Sequence, residues 1–331
     1  MGNEIRRKLA SIQRIEEVKS IKDADAIEAY RVLGWWVVGR KGEFGVGDLV
    51  IYLSIDSWVP NDLAPFLSKG HAPREFNGVC GERLKTIKLR GQLSQGLIMN
   101  SKLLGVNDFP EGHDLTAFLN IQKWEPPISA SLQGIIKGNF PSFIPKTDQE
   151  RIQNIFNKIS KKNTFEVSMK LDGTSVTIFR LENDLRICSR NMEMQVTDKN
   201  AGNLYVAMGI KIGDRIPEGF AFQGELMGPG VQGNRENLSE HKFFVFDVYD
   251  ITKQVYLSSN ARKNLCAKVN LDHVPVLGDN WVITATIEEA LKLAEGPSLR
   301  HKVREGIVWK CNEDPSFSFK VINNQFLLNE K

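Results

Sequence analysis

Residues 165 to 180, FEVSMKLDGTSVTIFR, alternate apolar and polar side chains up to Lys170 and then break at Leu171-Asp172-Gly173. A period of two sends successive side chains to opposite faces of an extended chain. Phe165, Val167 and Met169 therefore share one face, and Glu166, Ser168 and Lys170 the other. Asp-Gly is a good turn former, and a second apolar stretch follows through Val176, Ile178 and Phe179 to Arg180. The segment predicts a strand, a turn and a return strand, with a charged lysine where the chain turns.

The same alternation dominates the rest of the chain. RVLGWWVVGR, GVGDLVIYLSIDSWVP and ERLKTIKLRGQLSQGLIM read as glycine-punctuated strands between residues 11 and 100. That size and pattern fit an all-β, OB-like barrel over residues 1–130. Pro110, Pro126, Pro127, Pro141 and Pro145 mark a linker and packing segment, with the linker running to about residue 140. TDQERIQNIFNKI then predicts a helix capped by Thr147, with Glu150 completing the capping box. FAFQGELM, KFFVFDVYDI, GIVWKC and FSFKVI read as strands and ATIEEALKLAEG as a helix ending at Gly296. Residues 141–331 are thus expected to form an α+β domain dominated by antiparallel sheets.

Composition excludes several classes. With 331 residues and 41% hydrophobic content the chain has material for two cores, so it is not a disordered chain. A formal charge of +3 does not by itself indicate a nucleic-acid partner. Cys80, Cys188, Cys266 and Cys311 form no CxxC pair, which suggests neither a zinc site nor a disulfide framework, but reduced intracellular thiols. Whether the compartment is cytoplasm or nucleus stays open. No apolar run reaches the roughly 18 residues of a membrane span. MGNEIRRKLA lacks the apolar core of a signal peptide, and Arg6 stands where myristoylation calls for Ser or Thr.

Read alone, Lys170-Leu171-Asp172-Gly173 is an ordinary strand end. The sharper reading makes Lys170 a nucleophile, activated by burial or charged neighbours, with Gly173 letting backbone come close to a ligand. Five later segments support it. They are Ser189-Arg190-Asn191, Phe222-Gln223-Gly224-Glu225-Leu226, Lys242 to Asp247, Glu305-Gly306-Ile307-Val308 and Phe319-Lys320-Val321.

In this order the segments resemble the nucleotidyltransferase motifs of covalent polynucleotide ligases and RNA capping enzymes. The β-rich block before Lys170, with GERLKTIKLRGQLSQGL and FKVINNQFLLNEK, is similar to the ATP-dependent RNA ligases of the Deinococcus and Naegleria type. Those carry an OB module ahead of the catalytic domain. DNA ligases and capping guanylyltransferases mostly carry it behind, and the chain ends too soon after Lys320 for that. Those two activities, and an inactive nucleic-acid-binding protein, remain the rival readings.

The resemblance implies a fold, a chemistry and a set of roles. Lys170 takes AMP from ATP, passes it to a 5′-phosphate end of RNA, and a 3′-hydroxyl then displaces AMP, with nicks in duplex RNA as the expected substrate. Lys320 holds the α-phosphate. Asp172, Glu225 and Glu305 surround Mg2+ or Mn2+ through coordinated water. Glu225 and Arg190 contact the ribose, and Phe244 lies against adenine. No membrane and no obligate protein partner is implied. The last motif departs from the pattern of two lysines flanking one residue, because it reads Ser318-Phe319-Lys320. Lys310 is a second lysine for which a place near the phosphates is open. Arg83, Lys85, Lys88 and Arg90, extended by Lys146 and Arg151, form an expected phosphate-contacting surface.

Overall fold

The computed structural model describes residues 8–101, 106, 108–125 and 134–329. The chain divides into two compact units, 1–127 and 128–331. The start read for signals (through Arg6) and Pro126 and Pro127 of the expected linker lie outside the described residues.

The first unit is built on one long strand. β1 (Ala10–Ser20) pairs antiparallel with β4 (Leu49–Leu53) along its first half and with β2 (Ile27–Val32) along its second. The register shifts between Ile15 and Glu17, the local twist by which one strand serves two partners. With β3 (Trp35–Arg40) and β10 (Leu97–Asn100) the sheet order is β10-β4-β1-β2-β3. A second sheet holds β5 (Ser57–Pro60), β6 (Arg74–Phe76), β7 (Val79–Arg83) and β11 (Gln122–Lys123) in the order β11-β5-β7-β6. Ile12, Ile51, Leu53, Val59 and Leu115 fill the core, and Trp35 and Trp58 are buried.

β8 (Ile87–Leu89) and β9 (Gln92–Ser94) form a separate hairpin. Its two-residue turn holds Arg90 at φ 46° and Gly91 at φ 83°, the paired left-handed conformation of a type I′ turn.

The second unit has two larger sheets. One holds β12 (Ile136–Asn139), β15 (Thr174–Leu181), β16 (Asp184–Cys188), β17 (Met192–Met194), β18 (Phe220–Met227), β19 (Lys242–Asp250) and β20 (Val255–Tyr256) in the order β12-β17-β16-β15-β18-β19-β20, with the short β21 (Asp272–His273) pairing in parallel with β19. The other holds β13 (Glu150–Arg151), β14 (Phe165–Lys170), β22 (Val276–Trp281), β23 (Gly306–Cys311) and β24 (Ser318–Ile322) in the order β13-β24-β23-β14-β22. Residues 136–139, in the stretch read as linker, thus pair with β17 as a strand of this unit.

Two of the three apolar positions expected on one face of β14 share a core, while Met169 joins a separate apolar cluster with Leu171, Phe244 and Val274. Phe165 and Val167 lie in a core with Ile307, Trp309, Phe319 and Val321, against Ile287, Ala290 and Ala294. Trp309 and Phe319 stack at 5.8 Å, and Phe165 meets Trp309 edge-on at 5.7 Å. Each fully buried side chain of this size contributes on the order of 1.5–3 kcal/mol. Register places Glu166, Ser168 and Lys170 on the opposite face, together with Lys310 and Val308 of β23 and Lys320 of β24.

The helix predicted from Thr147 is mostly not helix. Glu150 and Arg151 are extended and pair in parallel with Phe319 and Lys320 of β24. Thr147 Oγ1 turns instead to Ser175 Oγ at 3.3 Å. Only α1 (Ile152–Ile155) and a 3-10 turn over Phe156–Lys158 remain helical. The apolar positions were legible, since Ile152 and Ile159 are buried, but an open sheet edge took the residues before them. Thr286 does cap a helix, α4 (Ile287–Leu293), with its side chain accepting from Glu289 N. Two helices were not read from sequence, α2 (Leu204–Ile212) and α3 (Ser259–Lys268).

Candidate active site

Lys170 ends β14 where the chain leaves one sheet of the second unit for the other. Its Nζ lies 2.8 Å from each carboxylate oxygen of Glu305, the residue that precedes β23. Glu305 is held by its backbone, since Asn323 N donates to its carbonyl at 2.9 Å. Asn323 is buried and its side-chain amide also caps the Arg304 carbonyl at 3.2 Å.

The turn after Lys170 completes the cluster. Gly173 N donates to Glu225 Oε1 at 3.0 Å. A side chain at Gly173 would meet Leu226 O at 2.5 Å and Met227 Cγ at 2.8 Å, so close approach to β18 demands glycine. Asp172 Oδ2 accepts from Arg235 Nη1 at 3.2 Å. Three carboxylates therefore surround one ammonium, with one guanidinium behind them.

The electrostatics follow from burial and this crowding. Burial pushes Glu225 up to about 8, with Lys170 opposing the shift and Glu305 adding to it. Asp172 is likewise raised, by burial first and then by the Glu305 charge. Burial alone would lower Lys170, but Glu305 and Glu225 outweigh it and hold the ammonium above its ordinary value. The resting lysine is thus protonated, and the carboxylates around it lack positive charge. Hard oxygen donors short of positive charge fit Mg2+ or Mn2+. Among the described residues no three acidic, histidine or cysteine side chains converge as a direct cage.

The structure brings Lys170, Asp172, Gly173, Glu225 and Glu305 together. Lys320 lies on the same sheet face as Lys170, with Arg151 beside it in the parallel register. Phe244 pairs with Glu225 across β18 and β19 and is buried in an apolar cluster with Met169, Leu171 and Val274. Arg190 makes its ion pair with Asp148 rather than with a member of the lysine cluster.

Lys310, the second lysine whose place was open, is turned to Asp247 of the other sheet and not to the lysine cluster. It is buried, paired with Asp247 and with Nζ 3.3 Å from the Phe246 carbonyl. Burial lowers it to about 8. The adjoining Glu166 is bound by Arg262, which is fully buried, and by Ser259. Sequence alternation had put Glu166 on the lysine face, but nothing in the sequence pointed to Arg262 as its partner. Arg83 is also removed from the expected basic surface. It is bound to Asp56 at 2.6 Å and lies 4.0 Å over the Trp124 ring. Lys88 and Arg90 of the hairpin are exposed and Lys85 is half-buried.

An RNA ligase family model matches residues 163–322, and an OB-fold domain model matches residues 9–101. The chain is similar over nearly its whole length to solved structures of Naegleria gruberi RNA ligase. An Asp-to-Ala variant without ligand is 42% identical, covers 97% of each chain and superposes with a TM-score of 0.85. A Lys-to-Ala variant with ATP and Mn is 41% identical, with 98% of this chain and 99% of that chain covered and a TM-score of 0.86. The same ligase with PPi is 42% identical over 97% and 98% of the two chains, with a TM-score of 0.85. No curated protein sequence matches.

Proposed function

This chain belongs to the RNA ligase family, and on that premise we propose that it is an ATP-dependent enzyme that joins a 3′-hydroxyl to a 5′-phosphate in RNA, at nicks in a duplex, through AMP carried on Lys170. The observation that carries the reading is Lys170 Nζ held 2.8 Å from Glu305, with Glu225 and Asp172 beside it and Lys320 on the same sheet face. The similar ligase structures with ATP and Mn and with PPi support ATP and a divalent metal as its cofactors.

In the first step the Lys170 amine attacks the α-phosphorus of ATP. A nitrogen–phosphorus bond forms, the bond to the bridging oxygen breaks and pyrophosphate leaves. Glu305 lies within reach of the proton that Lys170 must lose. We assign to Lys320, on the same sheet face as Lys170, the stabilisation of charge that builds on the phosphate oxygens, because a cation fixed there beforehand lowers the barrier. Glu225, Glu305 and Asp172 would hold a divalent ion, which would supply positive charge to the phosphate and favour the neutral amine. A 5′-phosphate oxygen of RNA then takes AMP from Lys170, and the 3′-hydroxyl displaces AMP from that activated end.

Intact-protein mass tests the reading. Incubation with ATP and Mn2+ should add one AMP, and Lys170→Ala should abolish the addition with the melting temperature preserved. An adduct mapped to Lys310 or Lys320, or uptake of GMP from GTP in its place, would overturn it.

A further inference from the structure

Arg235 sits in the 228–241 connection between β18 and β19, which the six sequence segments do not include. The connection is tightly wound. Gln232, Asn234 and Asn237 all have positive φ, and the Asn234 amide bonds both Leu238 N, at 3.0 Å, and Leu238 O, at 2.9 Å. Buried Glu236 takes the backbone N–H groups of Arg300 and His301, at 2.5 and 3.0 Å. From this base Arg235 spreads its guanidinium over four groups. Nη1 donates to Asp172, Nη2 donates to the Val303 carbonyl at 3.2 Å and lies 3.2 Å from His301 Nδ1, and the plane lies 4.6 Å from the Phe326 ring centre. Phe326 belongs to α5 (Asn324–Asn329), just beyond the β24 lysine.

We propose that Arg235 is a positioning residue for lysine adenylylation, fixing the Asp172 carboxylate beside Lys170 and tying that placement to the 300–303 segment and α5. This rests on the reading of Lys170 as the nucleophile. Only a planar fork reaches a carboxylate, a carbonyl and an imidazole together, so lysine is a poor substitute. With Arg235 gone, Asp172 is free to turn toward the Lys170 ammonium and stand in the path of the incoming phosphate. Misplacement on that scale slows chemistry more than it weakens binding.

The test is single-turnover AMP uptake by the full chain across ATP concentrations, with thermal melting in parallel. Arg235→Ala should lower the limiting rate roughly ten- to hundred-fold, the usual effect of losing a group that orients a catalytic ligand, and leave half-saturating ATP within about three-fold. Arg235→Lys should recover part of the loss, and added guanidinium should partly rescue Arg235→Ala. A folded Arg235→Ala protein with the wild-type limiting rate would overturn the proposal. So would a loss that neither lysine nor guanidinium relieves and that follows the melting temperature in Arg235 and Phe326→Leu variants alike. If Arg235→Ala does not fold, Arg235→Lys decides: a slowed rate at unchanged melting temperature supports the role, and a full rate rejects it. Lys170→Ala run beside them separates the two readings, because AMP uptake by that variant would reject the nucleophile and not Arg235.

Discussion

The Lys170 ammonium is shared between both oxygens of Glu305, each 2.8 Å from Nζ. The pair stores the nucleophile in its unreactive form. With its pKa held above the ordinary lysine value, the neutral fraction rises tenfold per pH unit through neutrality, and AMP uptake should rise with it between pH 6 and 9. Glu305→Gln removes the largest neighbouring charge. Without metal, Lys170 should then react faster with an amine-directed acylating reagent at pH 8, read by peptide mass, while AMP uptake from ATP should fall. Slower acylation of the variant would contradict this account of the pair.

Glu225 links the site to stability. Its folded pKa is pushed up to about 8 from 4.5, so between those values the folded state keeps a proton that the unfolded chain releases. Stability therefore declines as pH rises from 4.5 to 8, by up to a few kcal/mol. Glu225→Gln should flatten that decline in urea titrations and should also slow AMP uptake. An equal slope in both proteins would show that Glu225 is not held protonated.

The buried Glu166–Arg262 pair should matter to folding rather than to charge at the site. Arg262→Leu leaves Glu166 without its main partner and should cost about 3–5 kcal/mol. His273 reports on the same network, since Arg262 Nε donates to its Nε2 at 3.0 Å. Burial, with the Arg262 charge, lowers His273 to about 4 from 6.5. As pH falls from 6.5 the unfolded chain takes the proton first, so stability drops until about pH 4, by at most about 3 kcal/mol. His273→Gln should remove that part of the acid sensitivity, and an unchanged pH profile would place its cause elsewhere.

Every member of the lysine cluster belongs to the second unit, so residues 128–331 alone should still take up AMP from ATP. The cut must precede β12, because Ile136–Asn139 pair with β17 and Ile135 lies in an apolar cluster with Met194 and Val206. Sealing of nicked duplex RNA should fall, with the loss greatest in AMP transfer to the 5′-phosphate. Full-length sealing should weaken with salt as phosphate contacts are screened. Equal sealing by the folded shorter protein would give residues 1–127 another purpose.

Local rules carried much of this molecule. Alternation around Lys170 determined which side chains share its sheet face, and Asp172-Gly173 determined where the strand turns. Gly173 read as a glycine of close approach to a ligand, and the folded chain shows that what it approaches is β18. The order of the six segments, through resemblance, identified the carboxylates around the lysine. Tertiary structure decided what alternation cannot encode. A capping box at Thr147 competes with an open edge on β24, and the edge prevailed because pairing there satisfies Glu150 and Arg151 backbone groups that a short helix leaves exposed. Burial decided between like side chains: Lys310 and Lys320 lie on one face, yet Asp247 and Phe246 enclose the first. Arg83 reads as a surface cation until Asp56 and Trp124 cover it. Arg262 and Arg235 had no local signal, because their partners lie 96 and 63 residues away in the chain. Long-range charge pairing depends on which strands become neighbours, and only the folded chain brings them together.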